Sequence, residues 1–230
     1  MPSRPMSALK ILLLVCALLV GGTACIGYGN LGTLKSTVEK GNASTVQATF
    51  TLSRGELEIG GGASSLMQGE FITESRNDPA IDYAVRDRVG TLTLTQATDQ
   101  TGFSMGPIQN RWSVNMNDEI PLDLTVDNGG AHVALDLDVV TMTKVSLNSA
   151  GGGASISLDG VQQALTAVEL KSTGGDLNLE MTGHYAQART IDAASMSGSI
   201  TADLSGQSPA NLTGSFKSTT GTITIVVPST

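Results

Sequence analysis

The chain has 230 residues, and its 13 basic against 21 acidic side chains give a net charge of −8 and a pI near 4.6. That balance disfavours nucleic acid and anionic lipid surfaces as partners, while cations, basic proteins and neutral glycans stay open. Two cysteines, Cys16 and Cys25, leave no disulfide framework, and 27 glycines beside only 3% aromatic residues point to many short strands and tight turns.

In chain order, Arg4 and Lys10 flank the start of an uncharged run, "ILLLVCALLV" at 11–20, which is too short to span a bilayer comfortably and is followed by "GG". Residues 1–24 therefore read as a signal peptide. The small residues "GGTA" just before Cys25 resemble a permissive bacterial lipobox, in which Cys25 carries lipid and becomes the new N-terminus. The alternative is simple secretion after Ala24. Loss of Arg4 and Lys10 leaves 11 basic against 21 acidic residues, a net charge of −10, and no free thiol. Residues 25–44 mix Gly, Ser and Lys without clear period and read as a lipidated tether that could reach roughly 60 Å at full extension.

From residue 45 the pattern is short alternating apolar runs broken by turns, with "ASSLMQGEF" at 63–71 the nearest approach to a helical period. This part divides into a less regular segment, 45–115, and a strictly repeating one, 116–230. In the latter, "GAHVALDLD", "GASISLDG", "GDLNLEMTG", "GSITADLSG" and "GTITIVVP" begin at Gly130, Gly153, Gly175, Gly198 and Gly221, a nearly constant interval. A second echo, "TKVSLNSAGG", "TAVELKSTGG", "RTIDAASMSG" and "TGSFKSTTG", lies between them.

A repeat of about 22–23 residues with two strands suits one turn of an all-β, right-handed parallel β-helix-like solenoid, in which coils stack about 4.8 Å apart. An antiparallel β meander of successive hairpins is the competing architecture. Alternation turns Val133, Leu135 and Leu137 inward, then Ile156 and Leu158, then Leu177, Leu179 and Met181, then Ile200, Ala202 and Leu204, with Ile223 and Ile225 closing the column. The glycines serve the sharp corners, where a side chain would strike the next coil. A phosphate loop at "GGGAS" is excluded because strand, not helix, follows it. The calcium-binding nonapeptide roll does not match the period.

The same alignment sets Asp136, Asp159, Glu180 and Asp203 at one outward position in four successive coils. Carboxylates about 4.8 Å apart repel by roughly 0.9 kcal/mol in water, which a solvated face tolerates. They form either such a face or a strip for a cation, calcium being the one cofactor the sequence suggests, or for a basic ligand. Enzymatic readings are weaker. The basic residues after Arg111 are Lys144, Lys171, Arg189 and Lys217, all on the second strand of the repeat rather than beside the acids. His132 and His184 are far apart in the chain, without metal-ligand spacing, and no nucleophile elbow occurs. Trp112, the single tryptophan, reads as a plug on the N-terminal end of the core; exposed, it could stack on a sugar ring.

The segments "ATFTLSRGELEIGGGASSLMQGEF" at 48–71, "PAIDYAVRDRVGTLTLTQ" at 79–96 and "NRWSVNMNDEIPLDLTVDNGGAHVALDLDVV" at 110–140 resemble the bacterial toast-rack domain family. The resemblance rests on Gly55, Leu57, Ile59, Leu66, Gly69, Trp112 and the "IPLDL" run from Ile120 to Leu124. That family is grouped with LiaF-like cell-wall stress regulators and with adhesin domains of unknown function, and it implies an extracytoplasmic β-solenoid without catalytic residues. The regulators carry several transmembrane helices ahead of the domain, whereas this chain carries a lipoprotein-like leader.

The combined expectation is a non-enzymatic, extracytoplasmic lipoprotein, held to a bacterial membrane through Cys25, that binds an envelope glycan or protein in the manner of an adhesin. An envelope-stress sensor or scaffold docking a protein partner is the alternative, favoured by the apolar terminal run "TITIVVPST" at 222–230.

Overall fold

The computed structural model describes residues 31–74, 78–97, 110–188, 190–208 and 211–228, and these carry nineteen strands and no helix. The chain opens with β1 (Leu31–Val38), β2 (Thr45–Leu52), β3 (Glu56–Gly60) and β4 (Met67–Glu74), followed by β5 (Pro79–Arg86), β6 (Val89–Gln96) and β7 (Asn110–Met116). Strand pairs then repeat. They are β8 (Leu122–Asn128) with β9 (His132–Asp136), then β10 (Met142–Ser149) with β11 (Ala154–Ser157) and the short β12 (Val161–Gln162). Next come β13 (Ala167–Gly174) with β14 (Leu177–Glu180) and the short β15 (His184–Tyr185), β16 (Thr190–Ser197) with β17 (Ile200–Asp203), and β18 (Thr213–Thr220) with β19 (Ile223–Val226).

One sheet runs β1-β4-β7-β3-β9-β11-β14-β17-β19, the other β18-β16-β13-β10-β8-β2-β6-β5. Each coil gives one strand to each sheet. Every pairing from β7 to β19 and from β6 to β18 is parallel, which makes the molecule a β-solenoid and rules out the antiparallel meander for the repeats. Only β1, β4 and β5 run antiparallel to their neighbours, and they form the N-terminal end of the stack.

Two sequence expectations need correction. The stretch expected as a tether is part of the fold from residue 31, because β1 pairs along its whole length with β4 and Leu34 and Val38 pack against the core. Being an edge strand, it is only half buried, so its alternation is too weak to read. Nor is there a break near 115. β2 lies between β6 and β8, and β3 between β7 and β9, so the coil at 45–60 is sandwiched between the strands at 89–96 and 110–116 and the coil at 122–136, and a single core runs through all of them.

The inward residues named from alternation line that core. Trp112, Leu57, Val133, Ala154, Leu177 and Ile200 follow one another in register, and so do Phe50, Val126, Leu147, Leu170 and Ala193. Nearly all are at most 2% exposed, and each large one contributes roughly 1.5–3 kcal/mol of burial. Leu204 is only half buried, and the last coil is less covered still: Ile223 and Ile225 are 39% and 41% exposed, because nothing among the described residues stacks beyond them.

The corners are held by buried polar side chains that the sequence reading overlooked. Asn128, Ser149, Ser172, Ser195 and Ser218 stand in one register column. The Asn128 amide donates to the carbonyl of Ala131 at 2.7 Å and to that of Gly151 at 3.0 Å, and its oxygen accepts from the Ala131 N–H at 2.7 Å. The hydroxyls of Ser149 and Ser172 donate to the carbonyls of Gly151 (2.6 Å) and Gly174 (2.7 Å). The Ser195 hydroxyl is buried without a hydrogen-bond partner among the described residues. Ser172→Ala should therefore cost about 1 kcal/mol in urea unfolding, whereas Ser195→Ala should be neutral or slightly stabilising, since it removes an unmet donor. At a third corner the buried Tyr185 phenol donates to the Leu158 carbonyl and accepts from the Gly183 N–H at 3.0 Å, and burial pushes its pKa up to about 12.

Candidate functional site

The structure separates the four acids that the alignment placed together. Asp136, Glu180 and Asp203 do share one outward column on the first sheet, but the residue opposite both Asp136 and Glu180 is Ser157. Asp159 stands two positions further on, at the corner. The reason is a shorter coil. Val133 pairs with Ala154 and Ala154 with Leu177, so the first step along the chain is two positions shorter than the second, and the other sheet carries an irregularity at Met142/Lys144. Matching Gly130 to Gly153 slips the ladder by two. Because side chains alternate with period two, this slip leaves every inward and outward assignment correct while moving the acid to the wrong column.

At the corners the carboxylates are occupied with backbone and hydroxyl groups. Asp138 accepts from the Ser157 hydroxyl (2.8 Å) and the Asp159 N–H (2.7 Å), Asp159 from the Thr182 hydroxyl (2.7 Å), and Asp176 from the Ser199 N–H (2.7 Å). Ser205, through its hydroxyl and its N–H, holds the exposed Asp203 carboxyl below its ordinary value. Each of these acids therefore braces a turn. Among the described residues, no three His, Cys, Asp or Glu side chains converge as a metal centre would require.

Lys144, Lys171 and Lys217 lie on the second sheet, away from the column of Asp136, Glu180 and Asp203 on the first, and Arg189 lies outside the described residues. Lys144 pairs with Glu169 at 2.9 Å. Lys171 and Lys217 share a column with Ala194 between them and make no ion pair among the described residues. They project over a shallow trough of about 870 Å³ that crosses the coils from Thr51 and Asp127 past Asn148 to Lys217, bordered by Met196, which is 61% exposed. At about 4.8 Å per coil, the two ammonium groups are rooted roughly 10 Å apart.

A second depression, about 550 Å³, lies at the N-terminal end of the first sheet. It is closed upon itself by ion pairs of Lys35 with Glu70 (2.9 Å) and of Arg111 with Glu58 (2.9 Å) and Glu56 (3.4 Å). Trp112 is not available to a ligand. It is fully buried, set edge-on to Phe71 with ring centroids 5.5 Å apart. His132 and His184 are exposed on different strands. Residues 1–24, expected as a leader, and Cys25 lie outside the described residues.

No curated protein matches the chain. Among solved structures it is similar to a candidate cell adhesion protein from Clostridium sporogenes, with 20% identity and a TM-score of 0.66 over 86% of this chain and 100% of that one. It is also similar to a candidate adhesin from Bacteroides fragilis, with 16% identity and a TM-score of 0.34 over 86% of this chain and 98% of that one. The first of these likenesses concerns the fold, which it shares along nearly its whole length. The family defined by the N-terminal domain of toast_rack (DUF2154) matches residues 29–180, a stretch that runs from β1 through β14, and the chain belongs to that family.

Proposed function

We propose that this protein is a non-enzymatic, adhesin-like binding module, exported by its leader, held at a bacterial membrane through lipid on Cys25, and presented to the cell envelope. The observation that carries the reading is the trough on the second sheet, where Lys171 and Lys217 stand over a small-residue floor, without an ion-pair partner among the described residues, in an otherwise acidic protein. A linear envelope or wall polymer fits it if its acidic groups recur every two strand spacings, roughly 10 Å. The name of the structural relative from Clostridium sporogenes is consistent with such a role. Separation of Lys171 and Lys217 from the column of Asp136, Glu180 and Asp203, and of the two histidines from each other, supports a module that binds rather than cleaves.

The test is co-sedimentation of residues 26–230, which contain every described strand and the whole core, with native cell envelopes before and after protease treatment, with and without calcium. Binding is expected to survive protease and to fall at least tenfold in Lys171→Glu/Lys217→Glu. Loss of binding after protease would instead favour the scaffold reading, for which the exposed apolar end of the solenoid is the supporting observation.

A further inference from the structure

The two ends of the solenoid are built differently. At the N-terminal end the parallel stack is finished by antiparallel strands, β4 and β1 on one sheet and β5 on the other, and the side chains beneath, such as Trp112, Phe71 and Leu94, are fully buried. At the other end the described strands finish with β18 and β19. In the coils before it, backbone groups are bonded on both sides, as when the N–H groups of Ile200 and Leu204 donate to Thr222 and Val226 at 2.9 and 2.8 Å. Among the described residues β18 and β19 are paired on one side only. Between them the section of the core lies open. Ile223 and Ile225 continue the inward columns of Ile200 and Ala202, Phe216 is half buried, and Val227 is 63% exposed.

We infer that this end joins a second copy of the same chain, tail to tail about a twofold axis perpendicular to the solenoid. Three features favour that occupant. First, a single added strand could cover one free edge but not both, nor the core between them; an object with two sheets at the same separation covers all three, and the twofold sets each free strand antiparallel to its equivalent. The N-terminal end of a copy does not fit, because its two sheets project unequally and its core is sealed.

Second, the footprint suffices. An eight-residue strand is about 26 Å long, and two sheets about 10 Å apart with their side chains make a section roughly 20 Å thick. The pair would bury on the order of 1,000 Å² in all, near the lower limit of specific interfaces, so association should be roughly micromolar. Third, the one charged residue of the described terminal coil is Lys217, which projects from the outer face of its sheet, so this coil brings no carboxylate side chain to the join in a protein of net negative charge.

Nine strands separate the free edge of β1 from that of β19, so a tail-to-tail pair would set its two β1 strands about 80 Å apart and facing opposite ways. Combined with the surface-held reading above, such a pair would bridge two facing surfaces. That consequence rests on the proposed function; the pairing does not.

Sedimentation equilibrium of residues 26–230 up to about 100 µM tests the pairing without reference to any envelope ligand. The expected result is a monomer–dimer equilibrium, abolished by Ile225→Lys and, independently, by Val227→Asp, which lies beyond the last strand and should leave the melting temperature unchanged. Thr33→Lys on β1 should leave the dimer intact. A parent protein that stays monomeric, a dimer that survives both terminal substitutions, a dimer lost in Thr33→Lys, or growth beyond two copies would each overturn the inference.

Discussion

Gly175→Ala should melt about 10 °C below the parent protein, although it adds one methyl group. Gly175 turns the chain from β13 into β14 with φ of +95°, a conformation that costs alanine about 1–2 kcal/mol. The larger contribution is steric. A Cβ at this position would lie 2.0 Å from the carbonyl oxygen of Gly152 in the preceding coil, and that oxygen belongs to backbone that cannot swing aside. Relief requires the two coils to part locally, straining ladder bonds such as that from the Ala154 N–H to the Asp176 carbonyl (2.9 Å). Together these effects should amount to about 3–4 kcal/mol, and 1 kcal/mol is worth about 2–4 °C at this size.

Gly62 separates the two contributions. Its φ of +93° is nearly the same, but no atom lies within 4 Å of where its Cβ would be. Gly62→Ala should therefore cost only the backbone share, about 1–2 kcal/mol. Equal losses for the two variants in calorimetry would mean that stacking of the corners is not what Gly175 serves.

The second large effect is expected at Trp112. Its indole is held between Leu57 of β3 and Phe71 of β4, both in register with it, at the place where parallel stacking gives way to the antiparallel end. Trp112→Ala should cost about 3–5 kcal/mol, through lost burial and a cavity that the rigid stack cannot close. Trp112→Phe should cost much less than its loss of ring area suggests. The indole N–H is buried without an acceptor among the described residues, and removing an unmet donor returns about 1–3 kcal/mol. Denaturant unfolding of both variants decides the matter: a phenylalanine variant as unstable as the alanine one would show that the indole N–H has a partner after all.

What could be read from the residues follows from the two periodicities of a solenoid. Alternation along a strand is local, so Val133, Leu135, Leu177, Leu179 and Ile200 declare their inward direction wherever the strand is paired. The regular return of glycine declares that the coils stack. Register between coils is not local, and a single short coil was enough to put Asp159 opposite the wrong neighbour. The serine column was present in the sequence as Ser149, Ser172, Ser195 and Ser218, each just ahead of a corner glycine and one repeat from the next. Apolar patterning passes over it because serine at a buried position looks like an outward one. The displacement of the 45–60 coil between two later ones leaves no trace in periodicity at all, since it depends on which strand edges remain free once the antiparallel strands have formed.

That displacement bears on the order in which the molecule can be assembled. In the C-terminal coils each strand meets its partner in the very next coil, as Ile191 does with Gly214. Val46 of the first coil instead waits for Gly90 on one side and Leu122 on the other, about twice and about three times as far along the chain. Closing the longer loops costs more chain entropy before any contact repays it, so the C-terminal coils can zip early while the N-terminal end closes late. A chain emerging from its N-terminus therefore carries at least one unsatisfied edge on β2 until β8 has followed and on β3 until β9 has followed. The oldest part of the polypeptide thus waits longest for its partners, and its exposed edges during that interval are where mispairing with another nascent chain would begin.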